Sequence, residues 1–274
     1  MINQPMSGSA GAVGRDRAGW LVLGELLDQL RVLTSSDLRA RYGRGRWQLV
    51  KWLVDPFALV GVYLLMDRFI FYHKGFATGL SIACAIIPFQ LITMTVTGSF
   101  DILRLRQSII GNMQFRRGLL PISTALTETV GFSASLTLLA VMMAAYGVAP
   151  TISLLWLPLA LAVTVVFGIA IAYPMTLIGV WAADIRGLML SAVRAAYFLA
   201  PGLVTLAEIH GRTNSLVRVN PLTGLFEALR HAVYYRSNPP AWELLYPLAF
   251  AIVVLIIFVP IYNREQKHFA KVIE

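Results

Sequence analysis

Charged residues vanish from the chain between Glu128 and Asp184, leaving 55 consecutive positions (129–183) without Asp, Glu, Lys or Arg, interrupted only by Gly147-Val148-Ala149-Pro150. A hydrocarbon core takes about 20 apolar helical residues to cross, so this run predicts two spanning helices joined by a short turn. The same reading along the rest of the chain gives six spans, over 49–71, 79–103, 121–146, 152–181, 187–207 and 244–263. The expected fold class is therefore an all-α integral membrane protein. Its domains are a cytoplasmic tail and interfacial helix over 1–48, the six-span body over 49–263, and a cytoplasmic C-terminal tail over 264–274.

Two stretches show helical spacing but are too polar or too short to cross. From Trp20 to Leu33, Leu23, Leu26, Leu27, Leu30 and Leu33 recur at helical intervals against Glu25, Asp28 and Gln29. This amphipathic helix suits the membrane interface or a partner protein's surface. In the segment 208–243, Leu222, Leu225, Phe226 and Leu229 share one helical face after Asn220-Pro221. Asn before Pro is a good helix start, because the amide side chain caps free N–H groups and Pro needs no donor in the first turn. The expectation is a re-entrant helix dipping into the outer leaflet before the last span.

Charge then orients the spans. The chain carries 23 Lys and Arg against 14 Asp and Glu, a net charge of +9, which in a soluble protein would suggest nucleic acid. With six spans, 17 of those basic residues fall on the side of the termini and 6 on the other, so both termini are expected to be cytoplasmic. The excess charge is thereby a topology signal, and no nucleic-acid partner is expected. Arg39, Arg41, Arg44, Arg46 and Lys51, interleaved with Tyr42, Trp47 and Trp52, fit anionic membrane lipids just before the first span. Composition agrees, with 57% hydrophobic residues and a mean hydropathy of +0.69.

Candidate chemistry is sparse. No Gly-Lys pair exists, so the phosphate-cradling pattern of ATPases is absent. His73, His210, His231 and His268 are scattered among expected loops, and the lone Cys84 lies in an apolar run, so no metal site and no catalytic residue are expected. No two aspartates lie two apart, which disfavours a metal-bound nucleotide sugar. Asp55, Asp67, Asp101, Glu128, Asp184 and Arg194 all fall near span boundaries, where interfacial positions or ion pairs such as Asp184 with Arg186 account for them. Phe69, Tyr72, Tyr197 and Phe198 are candidate channel-lining aromatics, since ring faces can stack on sugars while letting them slide. An interfacial aromatic belt explains the same residues.

These residues resemble a known family, the permease subunit of type-two ATP-binding-cassette exporters, in the branch that exports O-antigen, capsule, teichoic acid or galactan polymers. The likeness covers about 31–263. Arg39-Ala40-Arg41-Tyr42 with Trp47, Trp52 and Pro56 resembles the family's approach to the first span. Asn112, Arg116-Arg117 and Pro121-Ile122-Ser123 resemble its cytoplasmic link. Asp184-Ile185-Arg186 and the run Asn220-Pro221 to Arg230 resemble the start of the fifth span and the gate. The link departs from the family in lacking a Pro within Phe115-Arg116-Arg117-Gly118, and Gly45-Arg46-Trp47 is more compact than usual.

The resemblance implies a permease of the bacterial cytoplasmic (inner) membrane that exports a lipid-linked polysaccharide and works as two copies with a separate ATPase subunit. ATP and Mg would sit on that partner, and no cofactor on this chain. In the link 104–120 it implies that Asn112, Gln114, Arg116 and Arg117 contact the ATPase, and in 208–243 that Asn220, Pro221, Phe226 and Arg230 form the gate. A type-two drug or lipid exporter is the alternative within transport, and a membrane-embedded glycosyltransferase the alternative outside it.

Overall fold

The computed structural model describes residues 24–39, positions 54, 57–58, 60–62 and 65, residues 78–106 and 117–266, and Phe269. Among the described residues there is no strand. The continuous α-helices among the described residues are α1 (residues 24–39), α2 (Thr78–Leu105), α3 (Leu119–Ala145), α4 (Leu157–Trp181), α5 (Arg186–Leu199), α6 (Arg212–Val219), α7 (Pro221–Val233) and α8 (Ala241–Glu265).

Four stretches among the described residues are long and apolar enough to cross a membrane: Thr78–Leu103, Leu119–Ala145, Ile152–Trp181 and Ala241–Glu265. They coincide with the second, third, fourth and sixth expected spans. Of the first expected span, positions 54, 57–58, 60–62 and 65 are described, all of them helical, and the rest lie outside the described residues, as do Phe69 and Tyr72. The fifth is shorter than its apolar run suggests. Over 187–207 the α-helix ends at Leu199, and 14 residues rise only about 21 Å, short of a hydrocarbon core of about 30 Å. Pro201 supplies the reason, because it offers no N–H and drives the preceding residue extended; Ala200 sits at φ −94°, ψ 162°. The chain then folds back over Tyr197 so closely that a Cβ on Gly202 would lie 2.5 Å from its ring.

Helix α2 is the centre of the bundle. Its most apolar window is 78% buried within the protein, against 17% for α8, which leaves most of its surface for lipid. Lipid tails are as apolar as leucine, so helices in a membrane associate through close backbone approach and satisfied polar groups. Both are present where α2 meets α4. A Cβ on Gly179 would stand 2.2 Å from the Phe100 carbonyl oxygen, so only glycine permits this crossing, and Gly168 faces Thr95 in the same seam. Hydroxyls inside the spans bond their own helices: Thr127 donates to Ser123, Thr164 to Ala160 and Thr176 to Ala172. Each such bond removes an orphan donor from the apolar interior.

The N-terminal amphipathic helix is present and extends six residues past Leu33, to 39. Leu26, Leu30 and Leu33 are half-buried while Leu27 and Val32 are exposed. The extension carries Asp37, which forms a salt bridge with the buried Arg106 at the end of α2 and lies 3.5 Å from the Thr127 hydroxyl of α3. The helix is therefore docked on its own chain at that end. Arg186 also departs from expectation, since its partner is Asp101 of α2 at 2.7 to 3.1 Å rather than Asp184, which is exposed. The planar guanidinium grips both carboxylate oxygens across the helix seam, a geometry that a neighbour two residues away cannot offer.

Candidate gate and link surfaces

The segment after α5 packs against the end of the bundle where α2, α4 and α8 begin. Asn220 starts α7: its Oδ1 accepts from the Leu222 N–H at 3.0 Å, while its Nδ2 donates to the Ala196 carbonyl of α5 at 2.7 Å. Pro221 occupies the first turn, where its missing donor costs nothing. The expected apolar face is buried, with Leu225, Phe226 and Leu229 at 0% exposure. Phe226 lies against Tyr197 with ring centroids 5.7 Å apart.

Burial of α7 goes beyond that face. Glu227 and Arg230, polar positions on an otherwise apolar helix, are also inside. Arg230 donates to Glu227 Oε1 at 2.7 Å and to the carbonyls of Pro201, Gly202 and Ser81 at 2.6, 3.1 and 3.2 Å. Glu227 Oε1 also accepts from the Leu206 N–H at 3.0 Å. The irregular stretch 200–206 thus finds partners for its buried backbone groups in this one ion pair. At the far end of α7, Ser153 donates to the Ala232 carbonyl at 3.0 Å and Trp156 Nε1 to Asn238 at 3.0 Å.

A cavity of about 830 Å³ opens between α6, α7 and the start of α8, lined by Asn214, Arg218, Glu227, His231, Trp242 and Glu243 among others. Arg218 lies over the Trp242 ring at 5.1 Å and donates to Asn214 at 2.7 Å, giving the cavity a polar and aromatic wall. Ligand atoms of Glu227, His231 and Glu243 lie within 4.8 Å of one another, so these side chains could hold a metal ion. His231 is on α7 rather than in a loop. Glu227 and His231 are one turn apart, a spacing legible in the chain, but Glu243 joins them only because α8 packs on α7. Gly224 allows that contact: a Cβ there would meet the Glu243 carbonyl at 2.6 Å.

Of the aromatic candidates that are described, Phe198 is exposed and Tyr197 is buried. Both border a second cavity of about 570 Å³, with Phe89, Gln90 and Arg194. Phe89 and Tyr197 pack at 4.5 Å between centroids.

At the opposite end, Asn112, Gln114 and Arg116 lie outside the described residues. Arg117 donates to the Gln266 carbonyl at 2.8 Å, and its own carbonyl accepts from Tyr262 at 3.0 Å. Tyr173 of α4 donates to the Gly118 carbonyl at 3.1 Å. The link 104–120 is in this way bolted at its C-terminal end to α4 and α8.

No protein-family model matches the chain. Among curated proteins, it is 23% identical to the O-antigen export system permease protein RfbA of Myxococcus xanthus, an alignment covering 87% of this chain and 93% of that one. Two permeases of the same name from Klebsiella pneumoniae are 20% and 21% identical, each over 92% of this chain and 97% of their own length. The chain is thus similar along nearly its whole length to proteins of the class that its motifs resemble.

Proposed function

We propose that this chain is the membrane-spanning permease subunit of an ATP-driven O-antigen exporter, moving a lipid-linked polysaccharide across the bacterial cytoplasmic membrane. The observation that carries the reading is the similarity to three O-antigen export permeases over 87 to 92% of the chain, together with four helices among the described residues that are long and apolar enough to cross. Nothing in those relatives favours a drug exporter or a glycosyltransferase.

In this reading a separate ATPase chain docks near the link 104–120 and a second copy of the permease completes the path. The bolted end of the link supports a mechanical role. Arg117 and Gly118 join the link to Tyr262 and Tyr173, so a push there is delivered to α8 and α4 together. Helix α7, buried among the first turns of α2 and α8, would dip into the outer leaflet and close the outer end of the path. The aromatic wall at Phe89, Tyr197 and Phe198 would line it.

The test is genetic and biochemical. In the native bacterium lacking this chain, surface O-antigen should disappear and lipid-linked polymer should accumulate on the cytoplasmic face, with re-expression reversing both. Undiminished surface polymer in the deletion strain would overturn the reading.

A further inference from the structure

Glu227, His231 and Glu243 meet where α7 packs on α8, and one buried carboxylate oxygen of the three has no partner there. Glu227 and Glu243 are each 2% exposed, and the nearby Arg230 already spends its charge on Glu227. Glu243 Oε1 faces His231 Nε2 at 3.3 Å, longer than the roughly 2.7 to 2.9 Å of a charge-assisted N–H···O bond. Its other oxygen, Oε2, is buried without a hydrogen-bond partner. A buried carboxylate oxygen without a partner is costly, and a donor, a proton or a cation beside it removes that cost.

We infer that Glu227, His231 and Glu243 form a binding site for one divalent transition-metal ion, of the zinc or manganese kind, that staples α7 to α8. One imidazole and two carboxylates are a donor set that zinc and manganese accept, and ligand atoms within 4.8 Å of one another can share one ion after small adjustments. The imidazole is already oriented. His231 Nδ1 lies 2.8 Å from the Ser237 hydroxyl, and with Nδ1–H donating there, Nε2 turns its lone pair toward Glu243. Metal-bound histidines are commonly held by such an outer hydrogen bond. Glu227 keeps one oxygen on Arg230 and the Leu206 N–H, an arrangement that fixes the carboxylate while its other oxygen remains for the ion. Remaining coordination positions open to the 830 Å³ cavity, where water can fill them.

The effect would be mechanical. Residues 234–240 are all that connect α7 to α8, and a metal bond across that turn would fix the angle at which α7 enters the bundle.

The full-length chain, purified in lipid nanodiscs, stripped with chelator and dialysed, is titrated with Zn²⁺ and separately with Mn²⁺ by calorimetry, with metal content checked by mass spectrometry. One ion per chain should bind, and the ion should raise the thermal unfolding midpoint. Glu243→Gln, which preserves volume, and His231→Ala should each abolish the saturable site. Ser237→Ala, which leaves all three ligands in place, should weaken it by about tenfold. Unfolding midpoints of the metal-free variants matching the metal-free parent show that they are folded. Saturable binding unchanged in both ligand variants, or less than stoichiometric binding by the parent, overturns the site. Because the readout is metal occupancy and not export, its failure is separable from failure of the transport reading.

Discussion

Arg230 shows how much one buried side chain can hold together. It is 0% exposed and bonds Glu227 and three carbonyls from two different segments, so no other residue type could replace both its charge and its fork of donors. Arg230→Met should destabilise the protein by about 3 to 5 kcal/mol, because it strands a buried carboxylate and the carbonyls of 201–202. Adding Glu227→Gln should recover part of that loss, since the stranded charge goes with it. Chemical unfolding of the two variants in detergent checks the order, and a double variant weaker than the single would contradict it. Tyr235, beside the same pair, gives a pH signature. Burial, with Glu227's charge adding to it, pushes its phenol up to about 12. An unfolded tyrosine ionises near 10, so between about pH 10 and 12 the unfolded chain holds fewer protons than the folded one, and stability falls as pH rises through that window. Tyr235→Phe should flatten the decline in unfolding midpoint measured from about pH 9 to about pH 11.5; a decline as steep as the parent's would acquit this residue. The spacing of Glu227 and Arg230 is visible in the sequence. Their burial is not, because both fall off the apolar stripe of Leu222, Leu225, Phe226 and Leu229, and Ser81 with the returning chain at 201–206 reaches them only through the tertiary fold.

Among elements, the seam between α2 and α4 is set by a single missing methyl. Gly179→Ala would drive a Cβ to 2.2 Å from the Phe100 carbonyl oxygen, a backbone atom that cannot swing away. Overpacking of this kind costs about 1 to 3 kcal/mol. Gly187→Ala is the control: nothing lies within 4 Å of its added Cβ, and in the first turn of α5 the change should be neutral or stabilising by up to about 1 kcal/mol. Thermal unfolding should therefore separate two chemically identical substitutions by sign, and equal midpoints would show the seam to be compliant. The lengths of α2, α3, α4 and α8 were legible from apolar runs because a span needs little else. The end of α5 was also written in the chain, in Ala200-Pro201-Gly202, but an apolar stretch that continued to Leu206 concealed it. The partner of Arg186 was not legible, since Asp101 lies 85 positions away and reaches it only through the packing of α2 against α5.

Across the whole molecule, orientation rests on the distribution of basic residues, 17 on one side of six expected spans and 6 on the other. With Cys84 replaced, cysteines at Ser7 and Gln266 should be shielded from an impermeant thiol reagent in intact cells, and one at Asn214 should react. Labelling at Ser7 without labelling at Asn214 would invert the arrangement. The sequence by itself determined that this is a helical membrane protein and where the four long apolar helices among the described residues lie, because lipid imposes one rule on length and apolarity that each obeys locally. It also carried the resemblance to export permeases that the whole-length similarity supports. Only the tertiary structure decided what the segment after α5 becomes. A short amphipathic helix in isolation could rest on a surface or enter a bundle, and the outcome depends on whether its polar residues find partners. Here Ser81, Pro201, Gly202 and Leu206 provide them from elsewhere in the chain, and α7 is buried with its charges satisfied. The meeting of Glu227 and His231 with Glu243 has the same origin, a contact between helices that Gly224 permits and local pattern does not encode.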